Sequence, residues 1–327
     1  MPSGELWNAQ WEAAVEVTPG TPVASTRQMY FDETSKLVRV RTPRPHKYAT
    51  GSRDNLRAFS LGPQMVSGQV ALPLSADELV ELLLIGVKGA VTPTAQNAAW
   101  LWTFTPGTAL GAATMRWHDG ARPWMASGVR LNKLKIAGGV AKENLITADL
   151  FAQSMIQQAL TGSLTARVPS LIEGWETKLA IDNFGATPGT TTVAGTLINW
   201  DVELDNALQY KFTGDNVNSA GAVIAGEIAI KCKLTFEAFP AAALTEFNNW
   251  DGVTKRLVRL TFGNNIVISG TDKLTVTVDL PGAWDAFDLG VTDAGTRVYD
   301  LGLQYVYDPT NTFGLQIRCV NGRAAAW

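Results

Sequence analysis

The stretch Val66-Ser-Gly-Gln-Val-Ala-Leu-Pro-Leu74, running directly into Ser75-Ala-Asp-Glu-Leu-Val-Glu-Leu-Leu-Leu-Ile85, constrains this chain most. Val66, Gly68, Val70, Leu72 and Leu74 share one side of a period-two pattern, and Ser67, Gln69, Ala71 and Pro73 take the other. That alternation predicts a half-buried strand. Ser75 with Glu78 three residues later predicts a capping box, and hence an amphipathic helix beginning at once. The pattern then returns. Ile224–Leu234 leads to Phe239–Trp250, Gly68-Gln-Val-Ala-Leu72 aligns with Gly226-Glu-Ile-Ala-Ile230, and Pro240 suits a first helical turn. Thr103-Phe104 and Thr261-Phe262 repeat the same separation of 158 residues. The spacing predicts a mainly β chain made of two tandem domains, residues 1–160 and 161–327, each with one flanking helix. Strands with one apolar face must pack on the helices and on one another, as a sandwich or flattened barrel.

Charge is distributed unevenly. Lys36, Arg39, Arg41, Arg44, Lys47, Arg53 and Arg57 are opposed only by Asp54, in a stretch broken by Pro43, Pro45 and Gly51. Residues 36–57 therefore read as a long exposed loop or arm, and a loop of that length carries function or is disordered. Three readings are open: a solvated loop, a phosphate-binding segment, or an arm that docks on an acidic surface of another copy. The predicted strand from Leu197 to Phe212 offers such a surface, with Asp201, Glu203 and Asp205 on the face opposite Trp200, Val202 and Leu204. Arg guanidinium forks match carboxylates, which suits the arm to joining subunits. Trp7, Trp11 and Trp327, near the chain ends, add aromatic groups of the kind that dock on neighbours.

Several function classes find no support. The net charge of −3 argues against a protein whose main task is gripping nucleic acid. The two histidines, His46 and His118, belong to no metal-ligand spacing, and no CxxC, GxSxG, Walker A or dinucleotide fingerprint occurs. Asp285 and Asp288 read as turn chemistry rather than an acid–base pair. Cys232 lies on an apolar strand face and Cys319 is 87 residues away, so the former reads as a buried hydrophobe. The N-terminus has no basic segment leading into an apolar one, and no apolar run nears the roughly 20 residues needed to span a bilayer. The expectation is a non-enzymatic chain without metal or cofactor, made and kept in a cytoplasm.

Taken together, the chain resembles the major tail tube proteins of long, flexible-tailed (siphophage-type) bacteriophages. The resemblance rests on Glu12…Thr18-Pro-Gly-Thr-Pro22, the Gly68-Gln-Val-Ala-Leu72 strand with its Leu-rich helix, and Leu179-Ala-Ile-Asp-Asn-Phe-Gly185. Leu197-Ile-Asn-Trp-Asp-Val-Glu-Leu204 and Gly226-Glu-Ile-Ala-Ile-Lys-Cys-Lys-Leu234 extend it. It implies tail-tube-like sandwich or barrel domains, rings stacked into a hollow tube, and a β-barrel inner wall past which double-stranded DNA moves without tight binding. It further implies trimers of two-domain chains, or hexamers, together with tail terminator, tape measure and baseplate partners. The place implied is the virion tail, assembled in the host cytoplasm and involving no membrane. Acidic side chains on the wall would repel phosphates, so Asp201, Glu203 and Asp205 fit either the wall or the arm's docking site. A carbohydrate-binding or adhesion module of a phage tail or cell surface is the alternative.

Overall fold

The computed structural model describes residues 10–49, 53–165, 168–214, 217–238, 241–293 and 295–325. Strand accounts for 55% of the chain against 8% helix, so the fold is mainly β. In the first half, β1 (Gln10–Val15), β2 (Arg27–Met29), β3 (Lys36–Lys47) and β4 (Leu56–Pro73) precede helix α1 (Ala76–Gly86). There follow β5 (Thr94–Gln96), β6 (Ala99–Phe104), β7 (Ala113–His118), β8 (Pro123–Gly139), β9 (Leu145–Ala152) and β10 (Ser154–Gln157). The second half begins with β11 (Lys178–Asn183), β12 (Thr192–Val193), β13 (Leu197–Asp205), β14 (Gln209–Lys211), β15 (Ala222–Ile224) and β16 (Ala229–Glu237). Helix α2 (Ala241–Asp251), β17 (Arg256–Ser269), β18 (Asp272–Asp293), β19 (Thr296–Tyr305) and β20 (Gln316–Asn321) complete it.

One set of pairings occurs twice. The first half forms a layer β3–β4–β9–β8, and the second forms β13–β16–β19–β18, all antiparallel. Behind them lie β2–β1–β7–β8–β10 and β12–β11–β17–β18–β20. In each half one long strand, β8 or β18, passes from one layer into the other. Each also carries a one-residue bulge at the same place, Asn132 between Leu131 and Lys133, and Asp285 between Trp284 and Ala286. A bulge bends the strand and re-aims the residues beyond it, as a strand shared by two layers requires.

The correspondence is real, but the sequence alignment at 158 residues is not the one the fold uses. Gly226 lies between β15 and β16, outside any strand, so Ile224–Leu234 is not one continuous strand. The buried residues of β16, namely Ile230, Cys232, Leu234 and Phe236, stand where β4 has Val66, Gly68, Val70 and Leu72. Phe104 and Phe262 are not equivalents either. Phe104 belongs to β6, an excursion of the first half that pairs with β20, whereas β17 takes the place of β7. Both helices carry a buried glutamate at the same turn: Glu81 pairs with Arg27 and Arg323, and Glu246 with Arg256 at 3.0 Å. Trp284 Nε1 donates to Glu246 at 2.8 Å.

Helix α1 opens as the sequence predicts: Ser75 Oγ accepts from the Asp77 amide at 3.3 Å, and Glu78 is buried in the first turn. Ten of the eleven α1 residues are buried, since β8, β18 and β20 all pack around it. In α2 only Ala243 and Glu246 are buried. Phe239 and Pro240 lie outside the described residues.

Candidate assembly interface

The basic stretch is not a loop. Lys36–Lys47 and Leu56–Pro73 form a β-hairpin, paired from Lys36 opposite Gln69 to Lys47 opposite Leu56, with register shifts between Arg41 and Pro43 and between His46 and Lys47. Pro43 and Pro45 do not break it: among the described residues β3 pairs only with β4, and edge strands tolerate proline. The hairpin is exposed on both faces beyond its root, and Phe59 and Leu61 are 66% and 67% exposed. Arg39 donates to the Met155 carbonyl at 3.3 Å and Arg41 to Gln64 Oε1 at 3.0 Å, so these two brace the root. Lys36, Arg44, Lys47, Arg53 and Arg57 are exposed; Arg57 lies 3.8 Å from Asp54. His46 sits on the hairpin 2.8 Å from Ser60 Oγ. Gly51 lies outside the described residues.

Asp201, Glu203 and Asp205 line one face of β13, as the alternation predicts, with Trp200, Val202 and Leu204 buried beneath. They face neighbours in their own chain. Lys135 Nζ is 2.5 Å from Asp201, and Lys133 Nζ is 2.9 Å from Asp205 and 3.7 Å from Glu203. Burial alone would raise the Asp205 carboxyl pKa, but hydrogen bonds from Lys133 and the Ala207 amide hold it below its ordinary value. The hydrogen bond and charge of Asp205 push Lys133 up in turn. No sequence signal announced these lysines, because β8 and β13 are far apart along the chain.

Those ion pairs span the line where the halves meet. Here β8 pairs with β13 from Lys133–Asp205 to Gly139–Asn199, joining the two four-stranded layers into one sheet of eight. The join is locked from the buried side. Asn206 Nδ2 donates to the Gly86 and Leu131 carbonyls at 2.8 and 2.9 Å, and the Leu208 amide donates to Asn132 Oδ1 at 2.8 Å. Trp200 Nε1 donates to Asn144 at 3.0 Å. A second hairpin, β14–β15, then leaves β13 and crosses onto the first half. Tyr210 stacks on Phe151 at 4.9 Å and donates to the Val66 carbonyl, and Arg130 donates to the Val223 carbonyl. The Gln64 amide donates to the Asn218 carbonyl at 2.6 Å.

The outer face of the eight-stranded sheet carries two hollows. One hollow of about 750 Å³ lies over β9, β8 and β13, lined by Lys135, Thr147, Asn199 and Asp201 among others. A second, about 380 Å³, lies over β16, β19 and β18, between Lys231, Asp285, Asp288 and Asp300. Lys233 pairs with Asp300 at 2.7 Å, so lysine and carboxylate alternate across this face of the sheet. At the two ends of the sheet, β3 pairs only with β4, and beyond Gly282 β18 pairs only with β19, among the described residues.

Other expectations meet corrections. Trp11 is no loose docking group: it is buried in β1, stacked on Trp117 at 5.0 Å and edge-on to Phe31. Trp7 and Trp327 lie outside the described residues. Asp285 and Asp288 sit on strand β18, not in a turn. The strand expected from Leu197 to Phe212 is interrupted at 206–208, where Ala207 has φ +46°. Cys232 and Cys319 are buried and free, and burial pushes both thiols far up, so they behave as apolar filler. His118 Nδ1 accepts from the Gly120 amide at 3.1 Å in a turn. Among the described residues no group of three or more His, Cys, Asp or Glu could hold a metal ion, and no helix is long and apolar enough to cross a membrane. No protein-family model matches the chain, and no curated protein matches it significantly.

Proposed function

We propose that this chain is a structural subunit that joins edge to edge into rings, stacked as a hollow tube of the siphophage tail type, through which double-stranded DNA passes. One observation carries the reading: a sheet made of two copies of one topology, fused at β8–β13, with the edges β18 and β3 at its ends unpaired among the described residues. An exposed edge in a monomer is an aggregation hazard that proteins usually blunt. Here the chain already shows how one half's edge receives the next. An interface that repeats head to tail generates a ring where its rotation closes and an open filament where it does not, and this reading takes the ring. Three chains would then bring six equivalent units round a lumen.

The wall suits a passage. Alternating lysine and carboxylate, tied in pairs, offers a polyanion no continuous basic track, and tight nucleic-acid binding needs such a track. In this reading the protein works in the virion tail after assembly in the host cytoplasm. Its partners are further copies of itself, with tail terminator, tape measure and baseplate proteins at the tube's ends and interior. Purified protein at rising concentration, followed by light scattering and negative-stain microscopy, should yield rings or tubes with a central channel. A particle that stays monomeric at millimolar concentration, and on seeding with preformed tail tips, overturns the proposal.

A further inference from the structure

The fused junction inside the chain can be transferred, residue by residue, onto the two open edges. Burial places β16 on β4, with Lys233 at the position of Gln69. Their cross-strand partners then correspond as well. Asp201, opposite Lys233, occupies the place of Lys36, which is opposite Gln69. By the same step Glu203 corresponds to Val38, and Asp205 to Val40. The shared bulge aligns the other strand: Lys133 follows Asn132 as Ala286 follows Asp285, so Lys135 corresponds to Asp288.

Laid side by side, the two junctions carry opposite charges. In the fused one the β8 edge supplies Lys135 and the β13 edge supplies Asp201, 2.5 Å apart. At the open edges β18 presents Asp288 in place of that lysine, and β3 presents Lys36 in place of that aspartate. A third feature belongs with these. In the fused junction the β14–β15 hairpin fills the surface over Val66 and Phe151. The corresponding surface of the second half is an open groove of about 550 Å³, lined by Glu227, Ile228, Ala229, Gln304, Tyr305 and Tyr307. The hairpin that corresponds to β14–β15 is the distal part of β3–β4, with Phe59 and Leu61 exposed.

We infer that the interface between copies repeats the internal junction with its charges exchanged: β18 of one copy pairs with β3 of the next, Ala286 opposite Val40 and Asp288 opposite Val38. Asp288 meets Lys36 across the diagonal, and the basic hairpin of the second copy lies in the Tyr305–Tyr307 groove of the first. The inference rests on the assembly reading above and adds to it a register, a charge code and a seat for the arm. The exchange of sign serves selection. Two β18 edges brought together would set acid against acid, and two β3 edges base against base, so only the head-to-tail pairing is favoured.

The test uses the full chain. Lys36→Asp and Asp288→Lys should each abolish ring or tube formation in low salt, with unchanged circular dichroism, and the two combined in one chain should restore it. Val40→Cys with Ala286→Cys should give covalent multimers on a denaturing gel after mild oxidation; the native cysteines are buried and leave the background low. A photoreactive residue at position 59 should crosslink to the 305–307 peptide of another copy. Tubes that form normally in both charge variants, without the engineered disulfide, overturn the register and leave the assembly reading standing. Wild-type protein that forms no assembly overturns both.

Discussion

Two buried acids show how strongly single positions are set by their surroundings. Burial pushes the Glu78 carboxyl up to about 7, with Arg27 pulling it down and Asp77 adding to the rise. In the folded chain it therefore keeps its proton up to near neutrality, whereas in the unfolded chain it loses it near the ordinary value of 4.5. Its contribution to stability is complete below about pH 4.5 and is lost as pH climbs through about 7. Glu78→Gln should thus match wild type at pH 4 and exceed it at pH 8 by on the order of 3 kcal/mol, as read from urea midpoints. Glu246 is held differently. Arg256 grips it through Nε and Nη2 at 3.2 and 3.0 Å, a two-pronged pair that ties α2 to the start of β17. Its counterpart Glu81 draws on Arg27 and Arg323 instead, so the acid repeats while its bases come from different parts of the chain.

At the scale of elements, the root of the hairpin depends on Gly68. A Cβ there would run into the Lys36 carbonyl oxygen and the Leu37 Cα, which is backbone and cannot step aside. Gly68→Ala should separate β3 from β4. Amide exchange at residues 36–40 should quicken at least tenfold, with residues 145–151 in β9 unchanged, as measured by hydrogen-exchange mass spectrometry. In the second half Cys232 occupies the same position, so the close approach is particular to the arm-bearing copy. The helices diverge further. Helix α1 is apolar nearly all round (Leu79, Val80, Leu82, Leu83, Ile85) because the excursion through β6 brings β20 over it. Helix α2 has no such cover and keeps a polar outer side, with Leu244 62% exposed.

For the whole molecule, the balance of attraction and release is an electrostatic question. Contacts through exposed ion pairs weaken with salt, because the Debye length shrinks to about 3 Å at 1 M. Assembly through Lys36, Asp288 and the arm should therefore require higher protein concentration at 1 M NaCl than at 0.1 M, while the internal junction, backed by Asn206 and Trp200, should not open. Assembled particles should retain no duplex DNA in a filter-binding assay at ~0.1 M salt, given a wall of paired charges rather than a basic track. Strong retention at that salt would contradict a passage role.

The features legible along the chain are local and periodic. Alternation found the inward faces of β4 and β13, and the Ser75 start of α1, because a strand side or a helix cap is written in neighbouring residues. It also showed that something repeats, since both halves must bury the same strand–helix unit. Which strands meet is visible only once the chain is folded. The basic run is a hairpin because β4 extends back to Leu56 to pair with it. The correct alignment of the halves is set by burial and bulges, since β strands are too alike in composition to fix an offset. Asp201, Glu203 and Asp205 face Lys133 and Lys135 because β8 closes against β13. Pairing between distant strands depends on cross-strand hydrogen bonds and shared core volume, and neither leaves a mark within a single stretch of chain.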